Sequence, residues 1–159
     1  MFLDLQTVFS GAVSAAGVTT GQAITATALS TNVLDTRNAA TPVLADENLG
    51  EHAWFLVQAQ TAAAGGDAAK TLTITLESDS AVGFATTPVV HFASAAILGS
   101  AITAGAVLVR TLLPSADYQR YVAVRYTVSV AFTAFAIQAF ITPDVQRNKI
   151  YPGGFTIDV

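Results

Sequence analysis

Two histidines, eleven carboxylates and no cysteine are the stock from which this 159-residue chain could build a reactive centre. A zinc site needs three or four ligands at close spacing. His52 has Glu47 and Glu51 near it in sequence, but no His-x-x-x-His or Glu-x-x-His pattern is present. His91 stands between Val90 and Phe92, where it reads as an outward strand position or a hydrogen-bonded core group. A serine nucleophile on an elbow needs the frame Gly-x-Ser-x-Gly, and neither Ser10 nor Ser100 has it. A Ser-His-Asp triad can be scattered along a chain, so hydrolysis stays a rival to be tested at His52 and His91. Paired carboxylates for glycoside chemistry would have to come from Glu47, Glu51 or Glu77. Asp46, Glu47 and Asn48 offer oxygens to calcium without EF-hand spacing. Gly65-Gly66-Asp67 reads as a turn and not as a phosphate loop. The expectation is a protein with no catalytic residue, no metal and no cofactor.

Aromatic side chains could instead make a sugar-binding platform, and Trp54, Tyr118, Tyr121 and Tyr126 are the candidates. Trp54 beside Phe55 reads as core. Tyr121 and Arg125 fall on one face of a strand and suit a subunit contact, where Tyr and Arg are enriched.

Composition narrows the classes further. Hydrophobic residues make up 52%, charged residues 11%, and mean hydropathy is +0.53. An average soluble domain carries about 25% charged residues, so this surface is bland and suits burial against other subunits. The longest apolar region, Ala95 to Val109, is interrupted by Gly99, Ser100, Thr103 and Gly105 and falls short of the ~20 residues of a spanning helix; no membrane role is expected. A net charge of -4 with seven scattered Lys and Arg argues against nucleic acid, whose phosphates need clustered cations. The start, with Asp4 and no basic region, does not read as a secretory signal, so synthesis and folding in a cytoplasm are expected.

The elements that would position these residues are strands. Arg120 to Val130 alternates with period 2: Val122, Val124, Tyr126, Val128 and Val130 on one face, Tyr121, Ala123, Arg125, Thr127 and Ser129 on the other. Phe135 to Thr142 follows as another strand. Thr71 to Glu77 places Leu72, Ile74 and Leu76 inward and Thr71, Thr73, Thr75 and Glu77 outward. Ala53 to Thr61, Pro88 to Phe92 and Ala106 to Leu113 read as strands, and Gln22 to Asp35 as one or two more. Ala93 to Ala104 is either a helical turn or a loop. Seven or eight strands with no amphipathic helix predict a single all-β domain over 1–159, an antiparallel β-sandwich with its core over 22–146. Residues 1–21 and 147–159 read as extended N- and C-terminal arms. Phe2, Leu3, Leu5 and Phe9 at the start, and Ile150, Tyr151 and Phe155 at the end, are costly to leave in water. They dock either on their own domain or on a neighbour.

The order of these segments resembles a known family. Phe9-Ser10, the run Gln22 to Asp35, the alternating strand ending Glu77-Ser78-Asp79-Ser80, Tyr118 to Val128 and a closing strand into Asp144-Val145-Gln146 are similar to the cement, or decoration, proteins of tailed-bacteriophage capsids. Gly11 to Gly21 and the tail from Arg147 look like added length beside that pattern. The resemblance implies a jelly-roll sandwich, a homotrimer on the exterior of the virion that clamps neighbouring major capsid subunits. The expected contact residues are Phe2, Leu3, Leu5, Phe9, Tyr121, Arg125, Ile150, Tyr151 and Phe155. The alternative from another class is a carbohydrate- or receptor-binding β-sandwich module.

Overall fold

The structure, a computed structural model, describes residues 7–13, 19–36 and 53–143. These form thirteen strands: β1 (Val8–Ser10), β2 (Ala12–Val13), β3 (Thr19–Thr20), β4 (Gln22–Ala23), β5 (Ala28–Leu29), β6 (Leu34–Asp35), β7 (Trp54–Ala59), β8 (Thr71–Asp79), β9 (Val89–Ala93), β10 (Ile97–Leu98), β11 (Val107–Leu112), β12 (Tyr121–Val128) and β13 (Ala136–Thr142). Short 3-10 turns lie at Gly65–Asp67 and Gly99–Ala101.

Period-2 chemistry builds the centre of the fold. Leu72, Ile74 and Leu76 of β8 and Val122, Val124 and Tyr126 of β12 are fully buried, and the two strands pair antiparallel from Tyr121↔Asp79 to Val128↔Leu72. Their outer faces match threonine with threonine at Thr73↔Thr127 and threonine with arginine at Thr75↔Arg125. Such directly opposed pairs are the unit of sheet stabilisation. In the other sheet, β7 and β13 pair from Ile137↔Ala59 to Thr142↔Trp54. Phe55, Leu56 and Val57 are all buried, because β7 faces the core on one side and the small cluster Val8, Leu56 and Phe140 on the other.

All pairings are antiparallel, and the two sheets pack face to face as a β-sandwich. One sheet runs β1-β13-β7-β11 with β4 beside β13; the other runs β10-β8-β12-β5, with β6 beside β12 and β9 beside β8. Taking β5 with β6 and β9 with β10 as single positions, the main strands lie in the orders first-eighth-third-sixth and second-seventh-fourth-fifth. That is the strand order of a jelly roll, two interleaved Greek keys.

Cross-ties hold the sheets in register. On one side the Ser10 and Tyr126 hydroxyls meet at 2.6 Å in the buried interior. The Asn32 backbone N–H donates to Phe9 O at 2.8 Å and its amide Nδ2 to Val8 O at 3.0 Å. On the other side the Phe92 ring meets Phe55 edge-on at 6.0 Å. Close backbone approach is needed at two glycines. Gly11 has φ +106° and a Cβ there would lie 2.5 Å from Thr20 O; at Gly99 a Cβ would lie 2.1 Å from Asp67 O.

Several expectations change. Phe9 is 1% exposed and packs edge-on against Phe55 at 6.3 Å, so this part of the amino-terminal segment docks on its own domain. Val8–Ser10 likewise pairs with β13 in one sheet, and Ala12–Val13 pairs with Thr19–Thr20 as a separate two-stranded ribbon. Gln22 to Asp35 makes only two-residue bridges because it crosses from one sheet to the other, pairing first with β13 and then with β12. Glu77, expected outward in water, is 4% exposed. Val130 lies beyond the end of β12 and is 61% exposed. Ala93 to Ala104 holds both β10 and a 3-10 turn.

Candidate functional site

Tyr121 and Arg125 project from β12 on the outer face of the six-stranded sheet, as the alternation required. Neither stands free. Arg125 Nε donates to Glu77 Oε1 and Oε2 at 3.1 and 2.9 Å, and Thr75 Oγ1 donates to Glu77 Oε1 at 2.7 Å. The Arg120 guanidinium lies 4.9 Å above the Tyr121 ring and also forms a two-pronged pair with Asp35, at 3.0 and 2.9 Å. These groups tie β6, β8 and β12 together across the sheet. Phe9 belongs to the core, while Phe2, Leu3, Leu5, Ile150, Tyr151 and Phe155 lie outside the described residues. Of the expected contact set, Tyr121 and Arg125 share an outer strand face among the described residues.

His91 is placed by a bulge. The pairings Leu76↔Phe92 and Glu77↔Val90 leave it as the extra residue on β9, and such a bulge re-aims a side chain. Its Nε2 lies 2.7 Å from Ser78 Oγ, and its ring stacks on Tyr118 at 4.2 Å. The same serine oxygen accepts the Gln119 N–H at 3.0 Å. Ser78 has no exposed surface. A hydroxyl that no substrate can reach, already bonded to two segments, joins β8, β9 and the 113–120 connection. Burial pushes the His91 imidazole below its ordinary pKa and the Tyr118 phenol up to about 12. Tyr118 donates to Pro114 O at 2.8 Å, and Gln119 Oε1 is buried with no hydrogen-bond partner among the described residues.

The buried carboxylates are clamps. Asp79 accepts from Thr86 Oγ1, Ala81 N–H and Thr86 N–H, and these bonds, the Thr86 hydroxyl first, hold its pKa below the usual value. They fix the 80–86 loop, in which Phe84 takes φ +51°. Asp67, 1% exposed, pairs with Lys70 at 2.6 Å and accepts from Thr133 N–H at 2.8 Å. The Lys70 contact leads the causes that lower its pKa. Asp46, Glu47, Asn48, Glu51 and His52 lie outside the described residues. Among the described residues no three His, Cys, Asp or Glu side chains converge as a metal site, and no helix is long and apolar enough to cross a membrane.

The aromatic candidates for a sugar platform do not share a surface. Tyr126 is fully buried, Tyr118 stacks on His91, Tyr121 lies under Arg120, and Trp54 belongs to the other sheet. A crevice lined by Val8, Gly11, Thr20, Gln138 and Phe140 holds about 10 Å³, room for a single water at most.

What sequence reasoning missed is an apolar side. Val89 and Val90 of β9, Leu98 of β10, and Val107 and Leu112 of β11 are 44 to 53% exposed. They account for five of the seven exposed large hydrophobic residues among those described. β9 and β10 flank β8 at the edge of one sheet, and β11 flanks β7 at the edge of the other. The Phe92–Phe55 contact sets β9 over β7 and puts both edges on one flank of the sandwich, where the registers turn the side chains apart: Val107 opposite Gln58 and Leu112 opposite Trp54 lie on the outer face of one sheet, and Val90 opposite Glu77 lies on the outer face of the other. The signal in the sequence was the lack of polar alternation in Pro88-Val89-Val90 and Val107-Leu108-Val109, which reads equally as burial.

No curated protein matches the chain. The Bbp16 family matches residues 18–141, which is 124 of the 159 residues, from just before β3 to the last turn of the ladder in β13. That span carries both edges of the apolar side and every ion pair described above, and the chain belongs to the Bbp16 family.

Proposed function

We propose that this protein is a structural component of a virion, a jelly-roll cement protein that binds the exterior of an icosahedral phage capsid and clamps neighbouring major capsid subunits. The observation that carries the reading is the set of exposed large apolar side chains on the edge strands β9, β10 and β11, on a chain of which only 11% is charged. A surface of that kind is stabilised when other protein covers it: each large side chain taken out of water contributes roughly 1.5–3 kcal/mol. The polar side chains support the same reading. Glu77, Asp67, Asp79, Ser78 and Tyr126 are spent on internal ties, which makes a rigid body suited to resisting pressure from packaged genome. The resemblance of Phe9-Ser10, Glu77 to Ser80 and Tyr118 to Val128 to capsid decoration proteins points to the shell as the partner. A multivalent homotrimer holds strongly even where each contact is weak.

The test is sedimentation of the purified chain with shells that lack it. Binding that saturates, together with shells that survive heating or low salt better when loaded, is the expected result. Deleting residues 1–6 or 149–159 should weaken shell binding more than it lowers the melting temperature. A chain that stays in the supernatant at all concentrations would end the proposal and return attention to carbohydrate binding.

A further inference from the structure

β11 ends the order of the five-stranded sheet: β7 lies on one side of it and no described strand on the other. One bond fixes which backbone groups face outward. Leu113 N–H donates to Ala53 O, just before β7, at 2.7 Å. Backbone groups alternate sides along an antiparallel strand. The N–H groups of Thr111 and Val109 therefore also point to β7, and those of Arg110 and Leu112 point away. Neither outward group has a hydrogen-bond partner among the described residues. The other edge on this flank is blunted, since β9 is bulged at His91 and β10 spans only Ile97–Leu98, two common protections of a sheet edge. β11 keeps a regular register from Val109 to Leu112 and contains no proline. On its outer face Val107, Arg110 and Leu112 stand opposite Gln58, Leu56 and Trp54, and all three are exposed. Lys70, Arg120 and Arg125 have carboxylate partners, which leaves Arg110 as the cation without an ion pair among the described residues. No Asp, Glu, Lys or Arg lies between Asp79 and Arg110 in the sequence.

We infer that β11 accepts an extended segment of a partner protein as an added strand, with a carboxylate of that segment opposite Arg110 and uncharged side chains beside Val107 and Leu112. In this mode main-chain bonds supply affinity and alternate side chains supply specificity. The outward N–H groups of Arg110 and Leu112 are the donors such a segment satisfies. The occupant is not β11 of another copy. Antiparallel pairing of the strand with itself would set Arg110 against its own equivalent or diagonal to it, and like charges so placed are destabilising. A carboxylate supplies the complementary charge, and the absence of other charges along β11 leaves the rest of the segment uncharged. The inference rests on the capsid reading for the source of the segment, the major shell subunit, but the edge can be tested apart from it.

Peptide titration of the full chain, followed by amide NMR, is that test. The probes are Thr-Val-Thr-Glu-Thr-Val-Thr and the same peptide with lysine in place of glutamate. The glutamate peptide should bind with its largest shifts at the Arg110 and Leu112 amides and slow their exchange with water. The lysine peptide should bind about three- to tenfold more weakly. Arg110→Glu should invert that preference, with an unchanged thermal melt because the site is exposed. Leu112→Pro removes an outward N–H without touching the ladder to β7 and should weaken both peptides about three- to tenfold. Peptides that leave the β11 amides unshifted, or an Arg110→Glu variant that still prefers glutamate, would overturn the inference. Hydrogen exchange on chain bound to shells separates it from the capsid reading. Shell binding with the Arg110 and Leu112 amides still exchanging as in the unbound chain would overturn strand addition and leave the capsid reading. Glutamate-peptide binding by a chain that ignores shells would support the edge and remove the shell as its partner.

Discussion

The hydroxyl pair between Ser10 and Tyr126 is the sharpest handle on how the sandwich is held. The two oxygens sit 2.6 Å apart, both residues are fully buried, and the bond joins β1 of one sheet to β12 of the other across 116 residues of sequence. Burial pushes the Tyr126 phenol far above its ordinary pKa, so it remains a neutral hydroxyl at any workable pH. Tyr126→Phe removes one partner and leaves the Ser10 hydroxyl in an apolar interior; Ser10→Ala does the converse. An unsatisfied buried hydroxyl costs about 1–3 kcal/mol, whereas removing both partners together is close to neutral. Each single variant should therefore lose about 2 kcal/mol. For a domain of this size that lowers Tm by roughly 4–8 °C. The double variant should lose no more than either single, giving a coupling energy of at least about 2 kcal/mol in a double-mutant cycle. Urea unfolding followed by Trp54 fluorescence supplies the free energies. Additive losses, with the double variant falling by the sum of the singles, would refute the claim that the pair acts as one unit.

Other perturbations test separate parts of the structure. Gly99→Ala should destabilise by about 3 kcal/mol in urea unfolding, since the new Cβ would stand 2.1 Å from Asp67 O. Arg125→Ala should cost about 2 kcal/mol by the same assay, because it strands the Glu77 carboxylate at 4% exposure, while removing both charges should cost less. His91 has a folded pKa below its ordinary 6.5, so as the pH falls the unfolded chain takes up the proton first. Stability should be whole above pH 6.5 and decline as the pH drops through 6.5 toward the folded value. Urea midpoints at stepped pH would show the decline, and His91→Gln should flatten it. Asp67 and Asp79, with pKa values below 3.8, contribute stability that is present above pH 3.8 and lost as the pH falls through their lowered values. A second loss should therefore appear in strong acid, and Asp79→Asn should reduce it.

The parts of the fold legible in sequence were those where local pattern and burial agree. Thr71 to Glu77 and Tyr121 to Val128 alternate because each is a central strand with one face on the core, and the pattern located both strands and their inward residues. Gln22 to Asp35 carried the right residue types for a strand, but its path between sheets depends on which strands it meets, and no local feature records that. Glu77 looked solvated because its partner Arg125 lies 48 residues away. Phe9 looked like part of a reaching arm because its pocket, Phe55, is likewise distant. The apolar side was hidden for a related reason. A run of valines reads as buried unless the topology places it on an edge, and β9 and β11 are edges only because of the jelly-roll order. At the candidate site the sequence identified Tyr121 and Arg125 by face, and missed that internal partners already engage them.

Quantitative mass spectrometry of density-purified particles from an infected lysate tests the capsid assignment most directly. A cement protein should band with the particles at a fixed, simple ratio to the major shell protein, and the ratio should persist through repeated gradients. Recovery of the chain only in the soluble fraction, or at a ratio that falls with each gradient, would contradict it.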